Sequence, residues 1–114
     1  MSDQEKFARE WGKLILWAAK NGIELRTVWL WRTVEQQQEL HIAGKSNCDG
    51  ILKRSPHQNG RAGDGVVFHG EEPQWARNFE YEKLGEYWQS RGGKYGGNFK
   101  KTSGMADDIY HFEM

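Results

Sequence analysis

The sequence predicts an α+β fold: a small antiparallel sheet with helices packed on one face. Three observations predict it. Two helix-start signatures, Ser2 with Glu5 and Thr33 with Gln36, each have the hydroxyl and the acidic or amide residue three positions apart that a capping box needs. Short runs dense in β-branched and aromatic residues lie between and after them. Helices and strands do not alternate as a parallel sheet would require. At 114 residues the chain is one domain, 1–114, large enough for a single core.

Taken in order, the first helix opens at Ser2 and carries Phe7, Trp11, Leu14, Ile15 and Ala18 at helical spacing. Asn21-Gly22 ends it. Glu24 to Trp31 reads as a strand. Thr33 starts a second helix that runs to about Ala43, before Gly44, with Gln36-Gln37-Gln38 as a solvated face. Lys45 to Pro56 is polar and reads as a loop. Ala62 to Phe68 reads as a strand and Gly70 to Pro73 as a turn. Tyr81, Leu84 and Trp88 mark a helix face that ends at Gly92-Gly93. Ile109 to Phe112 alternates like a last strand. There is no internal repeat, low-complexity tract or linker.

Composition excludes several classes of function. Sixteen basic and sixteen acidic residues cancel, and no basic stripe is present, which argues against nucleic-acid binding driven by charge. No apolar run approaches the ~18–20 residues that span a bilayer. Asp3 and Glu5 stand where a signal peptide would carry basic residues and an apolar run, so none is expected. The single cysteine, Cys48, leaves no internal disulfide, fits cytoplasmic synthesis and has no activating histidine nearby. Six tryptophans suggest an aromatic core or a ligand groove, with Trp29, Trp31 and Trp88 placed in the core by default and one of them open to line the groove. Gly44-Lys45-Ser46 imitates the tail of a phosphate-binding loop, but Glu39 stands where that loop needs glycine. His41 and His69 read as structural or surface residues. A monomer is expected.

The chemistry-bearing residues gather in two places. Ser55-Pro56-His57-Gln58-Asn59-Gly60-Arg61-Ala62-Gly63-Asp64 is answered near the end by Asp108-Ile109-Tyr110-His111. Together they offer two imidazoles, a carboxylate to complete a metal site and a second carboxylate beside it. Such a donor set suits Zn²⁺, and three protein ligands leave a fourth position for water, the catalytic arrangement. Along a strand from Ala62, Asp64 shares a face with Ala62 and Val66. Gly60 permits the turn that returns His57 towards it. His111 shares a face with Ile109 and Glu113, so a bend at Asp108-Ile109 is needed to bring Asp108 to the same site. Asp107 has the strand parity, but lies about 13 Å along an extended chain.

The pattern Ser-x-His-x-x-Gly-x-Ala-x-Asp with a later Asp-x-x-His resembles the signature of the LAS-type zinc peptidase superfamily. That group includes D-alanyl-D-alanine carboxypeptidases, phage L-alanyl-D-glutamate endopeptidases and the hedgehog signalling domain. Trp31-Arg32-Thr33-Val34-Glu35-Gln36 is similar to a Tyr-Arg-Thr-Pro-Glu-Gln segment of the family, with Val34 where proline is common. Leu84-Gly85-Glu86-Tyr87-Trp88, Gly92-Gly93 and Gly97-Asn98-Phe99 resemble the phage-type members. The resemblance implies a hedgehog-like fold, His57, Asp64 and His111 as zinc ligands, and Asp108 as general base in preference to Asp107. It further implies that Arg32 contacts substrate or steadies an oxyanion and that Ser55 contacts substrate.

The activity implied is zinc-dependent hydrolysis of peptidoglycan stem peptides, at an L-Ala-D-Glu or a D-Ala-D-Ala bond. Zinc would activate a water and polarise the carbonyl, and Asp108 would carry the proton from water to leaving amine. A short domain of phage type implies a lysis enzyme, made in the host bacterial cytoplasm and acting on the cell wall. Two other readings stay open. The fold can serve as a non-catalytic zinc-containing binding module, as in hedgehog. A nuclease or phosphoesterase would use more carboxylates and basic residues than this chain places together.

Overall fold

The protein, seen in a computed structural model, is described at residues 1–31, 33–44, 56–57 and 59–114. Arg32, Cys48, Ser55 and all but the last residue of the 45–56 loop lie outside these. The elements are α1 (Asp3–Lys20), β1 (Glu24–Trp29), α2 (Val34–Ile42), β2 (Ala62–His69), β3 (Glu72–Pro73), α3 (Phe79–Ser90), β4 (Lys94–Tyr95), a 3₁₀ turn (Gly96–Asn98), α4 (Phe99–Thr102) and β5 (His111–Glu113). The strands form one antiparallel sheet in the order β1-β2-β5-β4, with β3 also paired to β2. The expected α+β architecture is the one observed.

Helix starts follow from capping chemistry. Ser2 accepts from the Glu5 amide at 3.1 Å. At α2 the capping box is complete: Thr33 Oγ1 accepts from the Gln36 amide, and Gln36 Oε1 accepts from the Thr33 amide at 2.9 Å. Asn78 caps α3, its side chain accepting from Glu80 and Tyr81. Gln37 departs from expectation. It is fully buried while Gln36 is exposed. Successive helical residues point about 100° apart, so three in a row cannot share one solvated face.

The core sits between the sheet and α1 with α3. Phe7, Trp11, Leu14 and Ala18 of α1 meet Tyr81, Leu84 and Trp88 of α3 over Val67, Tyr95 and Phe112. Trp11 and Trp88 both stand edge-on to Phe112, at 5.9 Å between centroids, the geometry aromatic quadrupoles favour. Room for the Trp11 indole comes from glycine. A Cβ on Gly63 would lie 3.0 Å from it, and one on Gly65 3.3 Å. The Trp11 Nε1–H donates to Thr27 Oγ1 at 3.0 Å, so the buried ring keeps its polar atom satisfied. At the far side Arg91 donates two hydrogen bonds to the Glu10 carboxylate, tying α3's end to α1.

Trp31 takes the second of the two places open to it: it is exposed and lines a groove of about 450 Å³ with Leu30, Phe7 and Trp11. β1 stops before it because Trp29 already pairs with Asp64 near the start of β2. The next carbonyl, that of Leu30, accepts from a histidine side chain instead of a strand.

Candidate metal centre

β2 and β5 build most of the site by register. Asp64 and His111 are cross-strand partners. Side chains directly opposite on antiparallel strands project to the same face with Cβ atoms about 4.5–5.5 Å apart. Phe112 and Gly63, one residue along, point to the helix-covered face. Polar and apolar residues therefore alternate across one ladder, and the site occupies the side opposite α1 and α3.

His57 reaches the site from a turn. The Gly60 amide donates to the His57 carbonyl at 3.2 Å, and the Arg61 amide to the Pro56 carbonyl at 2.9 Å. Gly60 has φ +67°, a conformation that L side chains rarely adopt, so this turn does require glycine. His57 is 2% exposed, and its Nδ1 lies 2.8 Å from the Leu30 carbonyl oxygen. Only a protonated Nδ1 can make that bond, so in the neutral ring Nε2 is the nitrogen with a free lone pair.

The three groups converge on one point. His57 Nε2 is 3.3 Å and His111 Nδ1 3.4 Å from Asp64 Oδ1, and the ligand atoms of all three lie within 4.8 Å of one another. Donors held 2.0–2.1 Å from a tetrahedral ion stand about 3.3–3.4 Å apart. The two observed nitrogen–oxygen separations match that edge, and two imidazoles with one carboxylate are a donor set of zinc type. The residues present fit a metal ion.

Electrostatics point the same way. Burial disfavours charge on Asp64, but the imidazoles of His111 and His57 beside it outweigh that and hold the carboxyl well below the usual carboxylate range. Burial also works against a charged His111, yet Asp64 and Glu113 raise its pKa to about 9. A site that gathers an extra proton between these groups has the negative potential that a dication would answer.

Asp108 lies on the turn that leads into β5. Its carbonyl accepts from the His111 amide at 3.2 Å, and its Oδ1 accepts from the Tyr110 amide at 3.2 Å. This turn replaces the expected strand start at Ile109, and it is the bend that sequence parity demanded. Three parts of the fold hold it. The Asp108 amide donates to the Gly96 carbonyl at 2.8 Å, the Tyr95 hydroxyl to the Ile109 carbonyl at 2.8 Å, and the Gly65 amide to the Tyr110 carbonyl at 2.9 Å. Loss of hydration, and then the charge of Asp64, push the Asp108 carboxyl up from its ordinary value. Asp107 is engaged elsewhere, accepting from Arg77 at 3.2 Å and from the Lys100 amide at 2.8 Å.

The remaining sequence candidates divide. Arg32 and Ser55 fall outside the described residues. His41 is exposed on α2, and His69 is exposed with its Nε2 2.5 Å from Glu80 Oε1, away from the cluster. Sequence reasoning passed over three contributors. Glu113 lies 3.1 Å from His111 Nε2, a contact that the i, i+2 spacing could have revealed. Gly96 gives no sequence signal of its role: a Cβ there would overlap the Asp108 carbonyl oxygen and stand 2.8 Å from the His111 Cβ. Leu30 acts through its backbone, which side-chain reading does not register.

No protein-family model and no curated protein sequence matches the chain. Solved structures do. An L-Ala D-Glu endopeptidase, ChiX of Serratia marcescens, superposes with a TM-score of 0.68 at 21% identity, over 99% of this chain and 86% of that one. The vancomycin-resistance D,D-pentapeptidase VanY, as an E175A mutant in complex with Zn(II), gives 0.68 at 20% identity over 95% and 70%. The LD-carboxypeptidase LdcB gives 0.65 at 17% identity over 93% of this chain and 56% of its own. At these identities the likeness establishes a shared fold, that of the LAS-type peptidases.

Proposed function

We propose that this protein, built on the fold of the LAS-type zinc peptidases, is a zinc-dependent hydrolase of peptidoglycan stem peptides. The observation that carries the proposal is the convergence of His57, Asp64 and His111 at zinc-ligand spacing with Asp108 on the adjoining turn. The fold, shared with three structures named as peptidases, supplies the context.

In this reading His57 Nε2, Asp64 Oδ1 and His111 Nδ1 hold the metal. Bound zinc supplies Lewis acidity towards a water and a peptide carbonyl. Asp108 takes the proton of the attacking water and returns it to the departing amine. Its raised pKa suits a group that must hold that proton between the two transfers. Arg32 is proposed to offer paired N–H donors to a carboxylate or a developing oxyanion, and Ser55 to contact substrate, as the sequence resemblance implies. The scissile bond proposed is L-Ala-D-Glu or D-Ala-D-Ala. The setting proposed is phage or prophage lysis, with synthesis in the host cytoplasm, action on the wall and a monomeric enzyme. The likeness of residues 84–99 to phage-type members supports it. Among the described residues no helix is long and apolar enough to cross a membrane.

Mass spectrometry of muropeptides incubated with zinc-loaded protein tests the proposal, beside an Asp108→Ala control. Release of the stem after L-Ala identifies an endopeptidase, and loss of a terminal D-Ala a carboxypeptidase. Unchanged muropeptides, with one zinc bound per chain, would overturn hydrolysis in favour of a binding module.

A further inference from the structure

We propose that Glu113 is a positioning residue for His111, fixing which ring nitrogen faces the metal centre; this rests on the zinc reading above. The two imidazoles of the site present different atoms. His57 turns Nε2 towards Asp64 and anchors Nδ1 on a backbone carbonyl. His111 does the reverse: Nδ1 faces Asp64, and Nε2 lies 3.1 Å from Glu113 Oε1. A carboxylate only accepts, so Nε2 must carry the proton in that bond, and once the ring is neutral Nδ1 is the nitrogen whose lone pair can meet a cation.

Glu113 is held for this task. It is two residues beyond His111 on β5, hence on the same face. Its strand neighbours are Ala62 on one side and Lys94 on the other. Ala62 is small enough to leave space for the carboxylate above it. The Glu113 carbonyl accepts from the Trp88 Nε1–H at 2.8 Å, which pins the backbone from the core side. Glu113 is not a fourth ligand, because the ring edge it occupies points away from the edge that faces Asp64. A carboxylate on the outer nitrogen both orients a ligating histidine and raises its basicity, and losing such a partner typically costs about 10–100-fold in metal affinity.

The test compares wild type, Glu113→Ala and Glu113→Gln. Zinc affinity is read by competition with a chromophoric chelator, and the protonated nitrogen of His111 by long-range ¹H–¹⁵N NMR. The NMR is run on zinc-loaded protein and on metal-free protein at alkaline pH, where the ring is neutral. Glu113→Ala is expected to lose about 10–100-fold in affinity and the Nε2–H preference. Glu113→Gln, which keeps an acceptor oxygen, should recover the Nε2–H tautomer and part of the affinity. Unchanged affinity and an unchanged Nε2–H ring in Glu113→Ala would overturn the proposal. If wild type takes up no zinc, the functional reading falls, and the metal-free tautomer still decides whether Glu113 orients His111.

Discussion

The two faces of the β2–β5 ladder share a backbone and differ in almost everything else. On one face Gly63, Gly65 and Phe112 meet Trp11 and Trp88 through apolar contact, where shape decides the fit. On the other Asp64, His111 and Glu113 meet through charge and directed polar contacts, where the position of single atoms decides. The contrast shows how a 114-residue chain can carry a buried polar cluster at all. Each strand spends alternate residues on stability, and the remainder are free for chemistry.

That division predicts that the faces can be broken separately. The largest effect is expected from His111→Ala: a loss on the order of 10³-fold in stem-peptide hydrolysis, with zinc stoichiometry falling towards zero. Near-UV circular dichroism, which reports the aromatic core, should stay close to wild type. Phe112→Ala should do the opposite, costing about 3–5 kcal/mol in denaturant unfolding while the variant, where still folded, binds one zinc. Loss of zinc from folded Phe112→Ala would show that the faces are not independent. Gly96→Ala sharpens the comparison, because its Cβ would strike the Asp108 turn first and His111 beside it, leaving the aromatic face untouched. We expect about 10²-fold lower hydrolysis from the displaced carboxylate, with a smaller change in melting temperature. The smallest effect concerns Glu10, whose carboxyl the Arg91 guanidinium holds down at about 2 despite burial. A depressed carboxyl pKa stabilises the fold above the unfolded-state value and loses that contribution as pH falls from about 4.5 to about 2. The melting difference between wild type and Glu10→Gln, a few degrees at neutral pH, should therefore shrink across that window.

Most of the scaffold was legible because its signals are local. Ser2, Thr33 and the Phe7-Trp11-Leu14 spacing announce helices through contacts within a few residues, and the helices form where expected. The site residues were legible through the family resemblance, and strand parity added the face of Asp64 and the bend that would bring Asp108 to it. What escaped depends on tertiary approach. β4 is two residues long and α4 four, too short for any periodicity to show. Trp31 looked like core by type, but β1 ends before it. Gln37 is inward because of helix phase, which its two glutamine neighbours disguised. Strand parity put Glu113 on the His111 face, but not the 3.1 Å approach of its carboxylate to Nε2. Gly96 and Tyr95 matter only because the chain returns to them from Asp108.

The opposite ring nitrogens of the two histidines also set their reach. An imidazole that offers Nδ1 is a short arm, with one fewer ring atom between Cβ and the donor than one that offers Nε2. His111 must therefore bring its main chain close in, while His57 can stand off on its turn. The nearest amide mimic therefore differs by position: asparagine for the short arm at 111, glutamine for the long arm at 57. Exchanging those two mimics would place each donor about one bond length wrong.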